Sequence, residues 1–172
     1  MKKILYTIAL SLLSVASSHA RIGETTEQCD SRYGKALQVE SQGTSLAKRS
    51  LGKPVEQRIY KFKKFLIVLT TIDGTCEYIV YVKTGATDTE YLPLSEEEVM
   101  TLLKANKNDE KWSKLSSNYS STTYHAFGYT AVHSKSAGLA IASLGFTMYE
   151  KARSEEEEKK KKLETQNNLQ GL

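Results

Sequence analysis

Two neighbouring stretches near the middle of the chain read as the arms of a β-hairpin. Phe65–Ile72 and residues 75–83 are rich in β-branched and aromatic side chains, and only Asp73-Gly74 separates them. Asp-Gly supplies the positive φ angles of a type I′ turn, whose twist suits the flanking strands. Closing the hairpin there pairs Phe65 with Val82, Ile67 with Val80, Leu69 with Tyr78 and Thr71 with Cys76 on a core-facing side. The opposite side then carries Leu66 with Tyr81 and Val68 with Ile79, and turns polar at Thr70 and Glu77. Val55–Phe62 adds a third strand.

Helical spacing appears in three places. Ile22, Thr26, Cys29 and Tyr33 share one face of a short helix, with Thr25 and Gln28 placed to cap its start and Gly34 to end it. Ser95 and Glu98 form a capping box, and Leu94 with Val99 a hydrophobic staple. The helix they open buries Val99, Met100, Leu102 and Leu103 and ends near Asn106. In the tail, Glu155, Glu156, Glu157 and Glu158 each precede a lysine by four residues, Lys159 to Lys162. Each such pair supports a solvated helix by about 0.2–0.5 kcal/mol. Phe146, Tyr149 and Ala152 pin its start to the body. Between the second and third helices, Trp112 reads as a core anchor. A second hairpin runs over residues 123–133 and 138–144, turning through Ser134-Lys135-Ser136.

The expected architecture is therefore α+β: an antiparallel sheet of about five strands packed against helices, with a charged C-terminal helix. Residues 21–150 form the domain and 151–172 the tail.

The first twenty residues stand apart from this. Lys2 and Lys3 precede an uncharged apolar run over residues 4–15, and Ser18-His19-Ala20 places small residues for cleavage. This is the build of a secretory signal peptide, and the run is short for a membrane anchor. Removing its two lysines lowers the formal charge from +4 to +2, so global charge argues for no nucleic acid or other polyanion as partner. Export points to a periplasmic or secreted protein. Without a second long apolar segment, the expected product has no integral membrane span.

Export also changes the reading of Cys29 and Cys76, the chain's two thiols, because it places them where disulfides form. Both fall on core-facing sides, and a helix laid across the sheet brings them together. The expectation favours a bridge, with two separate buried thiols as the alternative.

Candidate chemistry is sparse. His125 and His133 lie eight residues apart, ~26 Å on one straight strand, and residues 112–148 contain no Asp or Glu. No G-x-S-x-G, H-E-x-x-H or phosphate-binding loop occurs. No catalytic residue, metal or cofactor is expected, with a small hydrolase using His125 or His133 as the alternative. The most distinctive charge feature is a basic band: Lys48, Arg49, Lys53, Arg58, Lys61, Lys63 and Lys64 against Glu56 alone. It reads either as a surface for an anionic envelope polymer or an acidic protein face, or as lysines guarding an edge strand. Together with Leu66, Val68, Ile79 and Tyr81 on the outer hairpin side, Lys61, Lys63 and Lys64 make the expected binding surface for an envelope partner.

Ile22-Gly23-Glu24-Thr25-Thr26-Glu27-Gln28-Cys29, continuing to Arg32-Tyr33-Gly34-Lys35, resembles a recurring opening among small exported bacterial proteins, in which a Gly-x-Thr helix start runs to a Tyr-Gly stop. It is similar to an uncharacterised family of such proteins. More distantly, it is similar to the outer-membrane lipoprotein family SmpA/OmlA and to β-lactamase-inhibitor-like domains. The lipoproteins carry a lipidated Cys after the leader, where this chain has Arg21. The resemblance implies an exported, non-catalytic binding module and carries over no catalytic residue.

Overall fold

A computed structural model describes residues 21–41, 52–87, 89–106 and 111–170; the leader lies outside these, as do Lys48 and Arg49 of the basic band. The elements run α1 (Thr26–Tyr33), β1 (Gln38–Ser41), β2 (Val55–Phe62), β3 (Phe65–Ile72), β4 (Thr75–Thr84), β5 (Tyr91–Leu92), α2 (Glu96–Asn106), β6 (Ser113–Ser117), β7 (Ser121–Ala126), β8 (Tyr129–Ser134), β9 (Gly138–Ser143) and α3 (Leu144–Gln170). The class is α+β, but among the described residues the sheet has nine strands rather than about five. Eight lie in the order β1-β2-β3-β4-β9-β8-β7-β6, and β5 pairs with β4 off that path.

The extra strands are those without an apolar signature. β1 and β6 are exposed along their whole length, Gln-Val-Glu-Ser and Ser-Lys-Leu-Ser-Ser, and β5 is two residues long. Their partners' unpaired backbone groups hold them, since each ladder satisfies obligatory donors and acceptors. The expected strand over residues 123–133 is two strands, folded at Phe127-Gly128, where Gly128 adopts φ 76°.

The Asp73-Gly74 turn forms as expected, with φ 56° and 75°. Past it the register departs from the expected one. Ile72 faces Thr75 and Thr71 faces Cys76, but a bulge follows, and from there Thr70 faces Tyr78, Leu69 faces Ile79, Ile67 faces Tyr81 and Leu66 faces Val82. One extra residue on β4 moves every later side chain to the other face.

One face of the sheet builds the core. Tyr60, Ile67, Leu69, Ile79, Tyr81, Leu139 and Ile141 are buried there beneath α1 and α2, which contribute Cys29, Tyr33, Val99, Leu102 and Leu103. Thr25 and Gln28 form the expected capping box on α1. Asp30 on α1 then accepts from Arg58 at 2.9 Å and from the Tyr60 hydroxyl at 2.6 Å, tying the helix to β2. Ser95 caps α2, and its far end is closed by Trp112 Nε1 donating to the Leu103 carbonyl at 2.9 Å. Trp112 is buried, so it is the anchor expected.

The other face is half covered. Ser143 caps α3 by accepting from Phe146 N–H at 3.0 Å, while its own hydroxyl donates to Glu77. Phe146 stacks on Tyr78, and Tyr149 buries against Val55 and Ile72. From Ser154 to Gln166 the helix is almost wholly exposed, with the pair Glu158–Lys162 at 2.7 Å and Arg153 bound to Glu150.

Candidate functional site: the outer face of the sheet

The register that fills the core also lines up the opposite face. Ile59 faces Val68, Val68 faces Val80, Val80 faces Ala140, and Ala140 faces Val132. These five side chains make one apolar row across β2, β3, β4, β9 and β8, ~19 Å wide at the usual strand spacing. None is buried: four are partly exposed, and Val132 is 41% exposed. A second row, Lys61–Leu66–Val82, runs beside it. On the other flank lies Gln57–Thr70–Tyr78–Ala142–Thr130–His125, the row where Phe146 of α3 lands.

Of the residues expected on this surface, Lys61, Leu66 and Val68 are there. Ile79 and Tyr81 are not; both are fully buried in the core, because the bulge reverses their side. Tyr81 instead receives a hydrogen bond from Asn106 at 3.0 Å, and burial pushes its hydroxyl pKa well up. Val80 and Val82, expected in the core, take their places outside. The signal in the sequence was the even mixture of apolar residues at 79–82, which fits either register.

The described part of the basic band does not form one surface. Arg58 points to the core side, where it binds Asp30 and Glu56. Lys64 and Lys83 both bind Glu98, at 2.6 and 3.0 Å. Lys61 donates to the Thr84 hydroxyl at 2.8 Å, and Lys63 lies over the Phe62 ring. Besides the band's own Glu56, the acids that answer Arg58, Lys64 and Lys83 are Asp30 of α1 and Glu98 of α2, which a count along the segment leaves out.

Glu98 is the hub of this arrangement. It accepts from the backbone of Ser95 at 2.9 Å, completing the capping box, and together with both lysines it lines a cleft of about 430 Å³. Partial desolvation works to raise its pKa, but hydrogen bonds from Lys64, Ser95 and Lys83 outweigh that and hold the carboxyl down at about 2. A depressed carboxylate stabilises the fold above its ordinary value of 4.5 and loses that contribution as pH falls towards 2. Glu98→Ala, which removes cap and ion pairs together, is expected to cost about 1–2 kcal/mol at pH 7. Urea unfolding at pH 7 and pH 3 checks this: the gap between wild type and variant should narrow at pH 3, and a gap that widens there would refute the assignment.

The two histidines are not brought together. His125 faces Thr130 and His133 faces Leu139. His133 shares the core side with Ala131, two residues away on β8, while His125 follows core-facing Tyr124 and points outward. Desolvation and the nearby Lys135 both hold the His133 ring below its usual pKa, the opposite of what a carboxylate orienting a catalytic base produces. His125 Nδ1 meets the Tyr129 carbonyl at 3.2 Å. Among the described residues no group of three or more His, Cys, Asp or Glu is placed to hold a metal, and no helix is long and apolar enough to cross a membrane. Cys29 and Cys76 are both fully buried free thiols, in one core cluster; the expected bridge is not formed in this structure.

No known family matches the chain, and no curated protein matches it. Among solved structures, it is similar in shape to a cysteine-rich secretory protein from Staphylococcus aureus subsp. aureus Mu50, with a TM-score of 0.43 and 12% identity over 71% of this chain and 44% of the other. It is also similar to an extracellular protein containing a SCP domain from Bacillus anthracis str. Ames, with a TM-score of 0.42 and 11% identity over 83% of this chain and 48% of the other. The chain thus covers less than half the length of either. Likeness of this degree transfers neither activity nor partner.

Proposed function

We propose that the chain is an exported, non-catalytic binding module of the bacterial envelope that takes an amphipathic helix of a partner protein on the outer face of its sheet. The observation that carries this reading is the apolar row Ile59–Val68–Val80–Ala140–Val132, which lies partly exposed beside α3 among the described residues. A sheet face with β-branched side chains is completed by a packed layer, and the half of the layer already present is a helix, docked through Phe146 on Tyr78. The remaining half has room for about thirteen helical residues at 1.5 Å each. The anionic-polymer reading loses its support where Arg58, Lys64 and Lys83 are bound by acids of the chain itself. Export rests on the leader and on the resemblance of residues 22–35 to exported bacterial proteins.

Photo-crosslinking residues introduced at positions 66 and 82 in the native cell are expected to trap one and the same protein, and one at position 155, on the exposed tail, is not. Val80→Asp should then reduce the purified pair's affinity at least tenfold while the thermal midpoint stays within about 3 °C, since the side chain is already partly in water. Equal adducts from all three positions, or none from 66 and 82, would overturn the reading.

A further inference from the structure

Cys29 and Cys76 play no part in the outer face, so their chemistry is independent of whether that face binds a partner. The backbone brings the two residues together in short steps. Gly23 N–H donates to the Cys76 carbonyl at 2.8 Å, and Cys76 N–H donates to the Glu24 carbonyl at 2.8 Å. Thr25 bridges Thr75 beside them. Both peptide groups of Cys76 are therefore spent on holding the segment that leads into α1. Thr25 caps that helix, and Cys29 lies one turn on, its N–H on the Thr25 carbonyl at 3.0 Å. Side chains in a helix lean back towards its start, which here is the start of β4. The Cys29 thiol accordingly meets that of Cys76 inside the core, both fully buried. Hydrogen bonding with Cys29, together with burial, pushes the Cys76 thiol pKa well up.

We propose that this dithiol is a modification site: Cys29 and Cys76 are oxidised to an intrachain disulfide by exchange with an external disulfide, either oxidised glutathione or a protein disulfide carrier. One thiolate attacks a sulfur of the reagent, forming a mixed disulfide and releasing one reagent thiol. The second protein thiolate attacks the protein sulfur of that mixed bond and releases the other. The protein loses two S–H bonds and gains one S–S bond, and the reagent's disulfide is reduced to two thiols. Exchange needs thiolate and access, and the folded pair offers little of either. The bond is therefore made while α1 is still off the sheet, and once made it is shielded from reductant by the same packing. It closes a loop of nearly fifty residues, which fastens the entry to α1 against the β3–β4 hairpin.

The test refolds the full chain from denaturant in a glutathione redox buffer and, separately, in excess reductant. The glutathione sample is expected to lose two hydrogens in mass and to take up no alkylating reagent in denaturant until reduced. It should remain monomeric and melt about 10 °C above the reduced sample, as loop closure of this length implies. A Cys29→Ser, Cys76→Ser double variant should melt at the same temperature in both buffers. Two alkylatable thiols after oxidative refolding, bridges only between molecules, or a bridged monomer that melts no higher than the dithiol would each overturn the proposal.

Discussion

Gly138→Ala is expected to leave little folded protein. Gly138 opens β9 at φ 93°, and a Cβ placed there meets the backbone carbonyl oxygen of Tyr81 at 2.1 Å, with the Val82 Cα at 3.3 Å. The obstacle is backbone of the strand next door, so no rotamer relieves it. Either the ladder between β4 and β9 opens or Gly138 moves, and the Tyr81–Leu139 pair lies at that point. The cost belongs with the rare substitutions above about 4 kcal/mol. Gly128→Ala is the internal control: its φ is 76°, but nothing lies within 4 Å of the added carbon, so it should cost only the left-handed penalty of about 1–2 kcal/mol. Circular dichroism and urea titration of the two variants separate strain from collision. If Gly138→Ala unfolds no more readily than Gly128→Ala, the close approach of the two strands is wrong.

The second large effect separates neighbours on β4. Tyr81→Ala should destabilise by about 3–5 kcal/mol, because it empties a site of zero exposure and takes away the acceptor of Asn106. Val80→Ala, one residue away on the outer face, should cost under about 1 kcal/mol. The regular hairpin expected from the sequence forecasts the reverse order, so one pair of denaturation curves decides whether the bulge exists. Equal costs would also count against it.

Much of the architecture could be read from the residues alone because the signals were local. Thr25 with Gln28, Ser95 with Glu98, and Asp73-Gly74 each act within four positions, and all three perform as their spacing implies. Trp112 needed only its size and polarity. What escaped was set by partners far along the chain. β1 and β6 carry no apolar alternation and exist because β2 and β7 offer them a hydrogen-bonding edge. The bulge on β4 has no residue of its own to announce it. It places both Glu77 and Tyr78 where α3 arrives, with Glu77 meeting Ser143 and Tyr78 meeting Phe146. The requirement that produced it lies far downstream in the chain. The outer surface was half legible for the same reason: Lys61, Leu66 and Val68 precede the irregularity and kept their side, while Ile79 and Tyr81 lie beyond it and did not. The basic band misled because charge was summed along one segment, and Asp30 and Glu98 reach it only through folding.

The strand order has a kinetic consequence. β1 to β4 are joined by neighbours in sequence, and so are β6 to β9, so each half can zip up from its own turns. The halves meet along a single seam, Tyr78–Tyr81 against Leu139–Ala142, between residues about sixty apart. Bringing such distant stretches together costs chain entropy before any contact rewards it. Two ribbons that close locally are therefore expected to wait on one encounter, and that encounter is expected to set the tempo of folding.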